Sequence, residues 1–66
     1  MEMIRVSSSA IEAIGYDLAT GLLRIRFVEG QDYDFHGVPE SVNLGLIAAT
    51  SKGGYYHAHI RDRYSS

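Results

Sequence analysis

The chain has 66 residues, no cysteine and a formal net charge of −2. Those values exclude a second core, a disulfide framework, a thiolate metal site and nucleic-acid binding driven by total charge. A chain this short buries only about 60% of its unfolded surface, so tight local packing or self-association has to supply the rest.

Met1-Glu2-Met3-Ile4-Arg5 lacks the apolar run of a signal peptide. The longest nearly uncharged stretch, Ser41 to Ser51, is too short to cross a bilayer. A soluble, cytoplasmic protein with no membrane partner is therefore expected, and the missing cysteines fit a reducing compartment. Ser7-Ser8-Ser9 reads as the lead-in to a first strand over Ala10–Asp17, with Ile14 and Tyr16 on one face. Asp17 to Gly21 then forms a turn, with Gly21 suited to the left-handed conformation that closes it.

Leu22–Val28 is the clearest strand, with Leu23, Ile25 and Phe27 on one face and Arg24 and Arg26 on the other. A third strand spans Asp32–His36. A two-residue Glu29-Gly30 loop would set Phe27 against Asp32. A three-residue loop instead pairs Phe27 with Tyr33, Ile25 with Phe35 and Arg26 with Asp34, and is the one expected. Val38-Pro39 should open a helix over Pro39–Ala49, with Pro39 in the first helical position and Val42, Leu46 and Ala49 on its buried stripe, widened by Leu44 and Ile47. Gly45 costs about 1 kcal/mol against alanine in a helix, which points to a close approach to the sheet. Gly53 is placed as the helix C-cap, followed by Tyr55–Ile60 as an extended segment or short fourth strand. The expected architecture is α+β. A three-stranded antiparallel meander packs against one helix, in a single domain over residues 6–64. Its core is Ile14, Tyr16, Leu23, Ile25, Phe27, Tyr33, Phe35, Val42, Leu46 and Ala49.

The ordered set Ile11-x-x-Ile14-Gly15-Tyr16-Asp17, Thr20-x-x-Leu23, Phe27-x-x-Gly30, Tyr33-Asp34-Phe35, Val38-Pro39-x-x-Val42, Ser51-Lys52-Gly53 and Ile60-Arg61-x-x-Tyr64 resembles the KTSC domain. That module is named for its occurrence at the C-terminus of some lysyl-tRNA synthetases, and the family also includes single-domain bacterial and phage proteins. The resemblance runs from about Val6 to Tyr64. It implies that Tyr33, Phe35, Val38 and Pro39 are family motif positions, and the synthetase context suggests RNA binding. The family's central Tyr-x-Tyr stands here with Phe35 in the second place, which removes one hydroxyl.

The residues themselves argue against catalysis. Asp32 and Asp34 alternate with Tyr33 and Phe35, so they lie on the solvated face and make a poor acid–base pair. No serine sits in a nucleophile elbow. His57 and His59 would face the same way on an extended segment, with His36 as a third ligand. No carboxylate or cysteine stands at a ligand spacing, however, so neither a metal nor any other cofactor is expected. Gly53-Gly54 follows a helix rather than preceding one, so it is no phosphate loop. Charge is uneven: residues 1–50 carry three arginines against seven acids, whereas Lys52, Arg61 and Arg63 face Asp62 alone. The expected function is a non-catalytic module that binds RNA or another single-stranded nucleic acid. Its expected contacts are Lys52, Tyr55, Tyr56, His57, His59, Arg61, Arg63 and Tyr64, with cations on phosphates and rings on bases. The alternative is a protein-interaction module or homodimer, since an open sheet leaves edges to be paired.

Overall fold

The computed structural model describes residues 1–64. The elements run β1 (Met3–Arg5), β2 (Ile11–Asp17), β3 (Leu22–Phe27), β4 (Asp32–Phe35), α1 (Glu40–Ala48) and α2 (Lys52–His59). The strands form one antiparallel sheet whose spatial order, β1-β2-β3-β4, follows the chain. Ile11, Ile14, Leu23, Ile25 and Phe35 from the sheet meet Val38, Leu46 and Ile60 in the buried core. A register shift between Ile11 and Ala13 in β2 inserts one extra residue. That bulge resets the alternation and lets Ile11 and Ile14, three apart, share the core. The α+β class and the antiparallel meander are as expected from the sequence.

Several particulars differ. The fourth strand lies at the N-terminal end, where Met3–Arg5 pairs with β2. The C-terminal segment is no strand but the helix α2. Ser51 caps it by accepting a hydrogen bond from the Gly54 N–H at 3.2 Å. Gly53 is therefore inside a helix and does not cap α1. Ala49 is the C-cap of α1, and the Lys52 ammonium donates to its carbonyl oxygen at 2.9 Å. The expected extended conformation fails because Gly53, Tyr56 and Ile60 form a helical stripe that seats α2 on the core, outweighing two glycines of poor helix propensity. Pro39 has φ −67° and ψ 152°, so it is the extended N-cap of α1 and not its first helical residue.

The β3–β4 hairpin has a three-residue loop, but the loop is Val28-Glu29-Gly30. Phe27 N–H bonds the Gln31 carbonyl at 3.0 Å, and Gly30 N–H bonds the Phe27 carbonyl at 2.8 Å. Gly30 has φ +99°, the conformation this loop demands at its third position. The register is therefore two residues off the expected one, which preserves both faces but changes every pair. Ile25 opposes Tyr33 and Leu23 opposes Phe35, while Arg24 opposes Asp34 and Arg26 opposes Asp32. Both ion pairs are bidentate, at 2.7 and 2.9 Å for Arg24–Asp34 and 2.8 and 3.2 Å for Arg26–Asp32.

Hydrogen bonds from the two guanidiniums hold the carboxyls of Asp32 and Asp34 below the ordinary aspartate range. A carboxyl depressed in the folded state adds stability above its unfolded pKa, about 3.9, and loses it as the pH falls through the folded value. Acid should therefore destabilise the wild type more than an Asp32→Asn/Asp34→Asn variant. Melting curves at about pH 6 and about pH 2.5 check this: the variant should show the smaller drop.

The core list also changes. Tyr33 is 44% exposed and is no core residue, and Leu44, at 56%, does not widen the buried stripe of α1. Tyr16, Phe27, Val42 and Ala49 are half-buried, the first three against the core, and Ile11, Val38 and Ile60 join it instead. Val38 is pinned from two sides: its N–H donates to the Gly21 carbonyl at 2.9 Å, and the Tyr16 hydroxyl donates to its own carbonyl at 2.5 Å. Gly45 does mark a close approach, though not to the sheet. A β-carbon there would lie 2.7 Å from Cζ of Tyr55 on α2, so the glycine is what lets the two helices touch.

Candidate nucleic-acid interface

The β3–β4 hairpin and α2 enclose an open groove of about 620 Å³. Phe27, Val28, Glu29 and Tyr33 come from the hairpin, Gly53, Tyr56 and His57 from α2, and Ala10 and Arg61 from the flanking chain. Phe27 is its centre. Its ring meets Tyr33 edge-on at 5.5 Å and Tyr56 at 5.1 Å, and Tyr56 also contacts Phe35 at 5.9 Å. The rings fix one another, so an aromatic surface stands ready with little entropy left to lose on binding.

Polar groups rim this surface. The Tyr33 hydroxyl donates to Oε1 of Gln31 at 2.5 Å, which anchors the exposed ring. Burial raises the Tyr56 phenol above its usual value, so it stays protonated at neutral pH. Arg61 Nη1 lies 3.2 Å from Nδ1 of His57. A guanidinium only donates, so Nδ1 is the acceptor in this contact. Glu29 stands on the hairpin side and Arg61 on the helix side, so an anionic ligand would be held at the Arg61 end.

The eight expected contact residues divide. Tyr56, His57 and Arg61 line the groove together with Tyr33. Tyr55 and His59 lie elsewhere on α2, ring against ring at 4.4 Å, where Tyr55 covers Gly45. His57 and His59 do not face the same way, because two residues on a helix turn about 200°. No cluster of three metal-ligating side chains exists among the described residues. Lys52 is engaged with the Ala49 carbonyl, Tyr64 packs on the core, and Arg63 is exposed away from the groove lining. Arg24 and Arg26 are held by their aspartates on the sheet. Alternation with Ile25 places Phe27 on the core face. Its place in the groove follows from the helical fold of α2, which no local signal in the β3 sequence announces. No helix among the described residues is long and apolar enough to cross a membrane.

The model of the KTSC domain matches residues 7–64. A protein of Tsukamurella paurometabola is 42% identical over 59 residues, covering 89% of this chain and 88% of its own. A lysine–tRNA ligase of Nostoc is 32% identical over 62 residues, which is 94% of this chain but only 11% of the ligase. The crystal structure of a KTSC domain protein from Yersinia pestis superposes with a TM-score of 0.94 at 36% identity, covering 97% of this chain and 90% of that one.

Proposed function

The chain belongs to the KTSC domain family, and from that premise we propose that it is a non-catalytic binding module for single-stranded RNA, held in the groove between the β3–β4 hairpin and α2. The observation that carries this reading is the convergence of Tyr33, Tyr56, His57 and Arg61 on one preset surface. Aromatic faces accept unstacked bases of any identity, and a guanidinium beside them holds the intervening phosphate. A related segment forms a small part of a ligase named for its tRNA, which favours RNA over DNA. A non-enzymatic role agrees with the engagement of the groups that catalysis would need. Asp32 and Asp34 are tied to arginines, and Nδ1 of His57 faces Arg61.

Labelled single-stranded RNA titrated against wild type and an Arg61→Ala/Arg63→Ala variant at two salt concentrations tests the reading. Each lost phosphate contact lowers the salt slope by about 0.7 for a single strand. Arg61 accounts for one such step, and Arg63 adds a second if the strand runs past the groove. An unchanged slope removes Arg61 from the interface. No wild-type binding at low salt, with a stable dimer by sedimentation, transfers the function to self-association.

A further inference from the structure

The sheet has two open edges, β1 and β4, and no strand of the described residues lies beyond either. The Val6 N–H donates to the Glu12 carbonyl at 3.0 Å, which turns the backbone groups of Val6 toward β2. Alternation turns those of Ile4 the same way and those of Met3 and Arg5 out of the sheet. Such a row of outward N–H and C=O groups is a template for a further strand.

Apolar side chains flank this edge. Ile4 opposes the core residue Ile14, so it lies on the helix face, yet it is 56% exposed. Beside it a groove of about 300 Å³ opens between the β1–β2 part of the sheet and α1, lined in part by Ile4, Leu18 and Ile47. Leu18 is 66% exposed. This groove shares no lining residue with the one at the hairpin.

The strand is its own complement. Two copies joined edge to edge across a two-fold axis keep both faces, so each residue meets one an even number of positions from its own. Only one such register pairs all of Met3–Arg5: Met3 opposite Arg5, and Ile4 opposite Ile4 on the axis. Each Met3–Arg5 pair then exchanges both of its N–H···O bonds. The arginine stem lies beside the thioether, and no like charges are opposed. A shift of two residues one way opposes the two Arg5 side chains, and the other way sets Glu2 against Ile4. β4 lacks this fit. Asp32 and Asp34 stand on one face of it, so pairing β4 with itself sets aspartate against aspartate, the kind of charge that guards an edge.

We propose that the β1 edge binds a second copy of this chain, the two β1 strands pairing antiparallel about Ile4 to make one continuous sheet. A chain this short gains from the added burial. The proposal is independent of the RNA-binding reading, since β1 and the β3–β4 hairpin lie at opposite ends of the sheet and both hairpin grooves stay open in the dimer.

Sedimentation velocity from about 10 μM to about 1 mM tests it, the range suited to an interface built on so short a strand. The wild type should pass from monomer toward dimer across the series. Ile4→Lys, at a residue already exposed, sets like charges together on the axis and should weaken the dimer about tenfold or more. Tyr33→Ala, on the β4 edge, should leave it unchanged. Amide exchange in the wild type gives a second reading that depends on no variant. Met3 and Arg5 should exchange more slowly as concentration rises, while Val6 is protected at every concentration. A wild type that stays monomeric, a dimer that Ile4→Lys leaves intact, or one that Tyr33→Ala dissolves overturns the proposal. So does exchange at Met3 and Arg5 that is indifferent to concentration.

Discussion

Ile60→Ala should lower the stability of the domain by about 2–5 kcal/mol, the cost of emptying a fully buried aliphatic site. Ile60 is 0% exposed and belongs to the buried core cluster. A domain of this length has on the order of 3–10 kcal/mol in total, so the substitution removes a large share of it. Urea denaturation followed by far-UV dichroism reads the effect. Ile60 is the C-cap of α2, with its N–H donated to the Tyr56 carbonyl at 3.0 Å. Alanine keeps that backbone bond and loses the side chain that docks the helix, one wall of the proposed RNA groove, on the core. A substitution at exposed Arg63 serves as the control, and surface changes of that kind stay within about 0.5 kcal/mol. If the two substitutions proved equally mild, the C-terminal helix would not be part of the core.

Tyr33→Ala carries the largest expected effect on binding. An aromatic ring stacked on a base is worth roughly 1–3 kcal/mol, which is about 5- to 150-fold in affinity for single-stranded RNA. Tyr33 is well suited to isolate that term because it is 44% exposed and its hydroxyl bonds only a surface glutamine. The stability cost is confined to its edge contact with Phe27 and its place opposite Ile25. Tyr56→Ala would confound the two, since that ring also packs on Phe35. Fluorescence anisotropy with a labelled oligonucleotide, on variants first shown to be folded, measures the loss. Wild-type affinity in Tyr33→Ala would exclude the hairpin side of the groove from the interface.

Residue patterning made some of this structure legible and hid the rest. Alternation in Leu22–Phe27 and Asp32–Phe35 identifies the core face of the hairpin, because period two survives any slip of two residues. The same property makes the register illegible: Arg26 can oppose Asp34 or Asp32 with the same faces inward. Only the backbone bonds around Gly30 decide between them. In β2 the spacing Ile11-x-x-Ile14 breaks period two, and the bulge it requires is a tertiary fact. The second helix was masked by its own glycines. Its readable signals were Ser51 as an N-cap and the Gly53, Tyr56, Ile60 spacing, both outweighed by the turn-like look of Gly53-Gly54. The conformation of this segment decides which residues form the site. On a strand His57 and His59 would share a face, whereas on a helix Tyr56, His57 and Arg61 join Tyr33 and leave Tyr55 and His59 behind.

The strand order, which never departs from the order of the chain, has a kinetic consequence. Each strand pairs with the one next to it in sequence, so the sheet closes by short loops, and hairpins of this kind form in about 1–10 μs. Low contact order of this sort favours fast folding through local nuclei. Docking of Ile60 onto a core that also contains Ile11 closes nearly the whole chain, and its loop entropy places it late. Contacts made after the barrier govern escape from the native state more than entry to it. The residence time of the native fold is therefore set at the C-terminal helix, while the rate of reaching that fold is set in the meander.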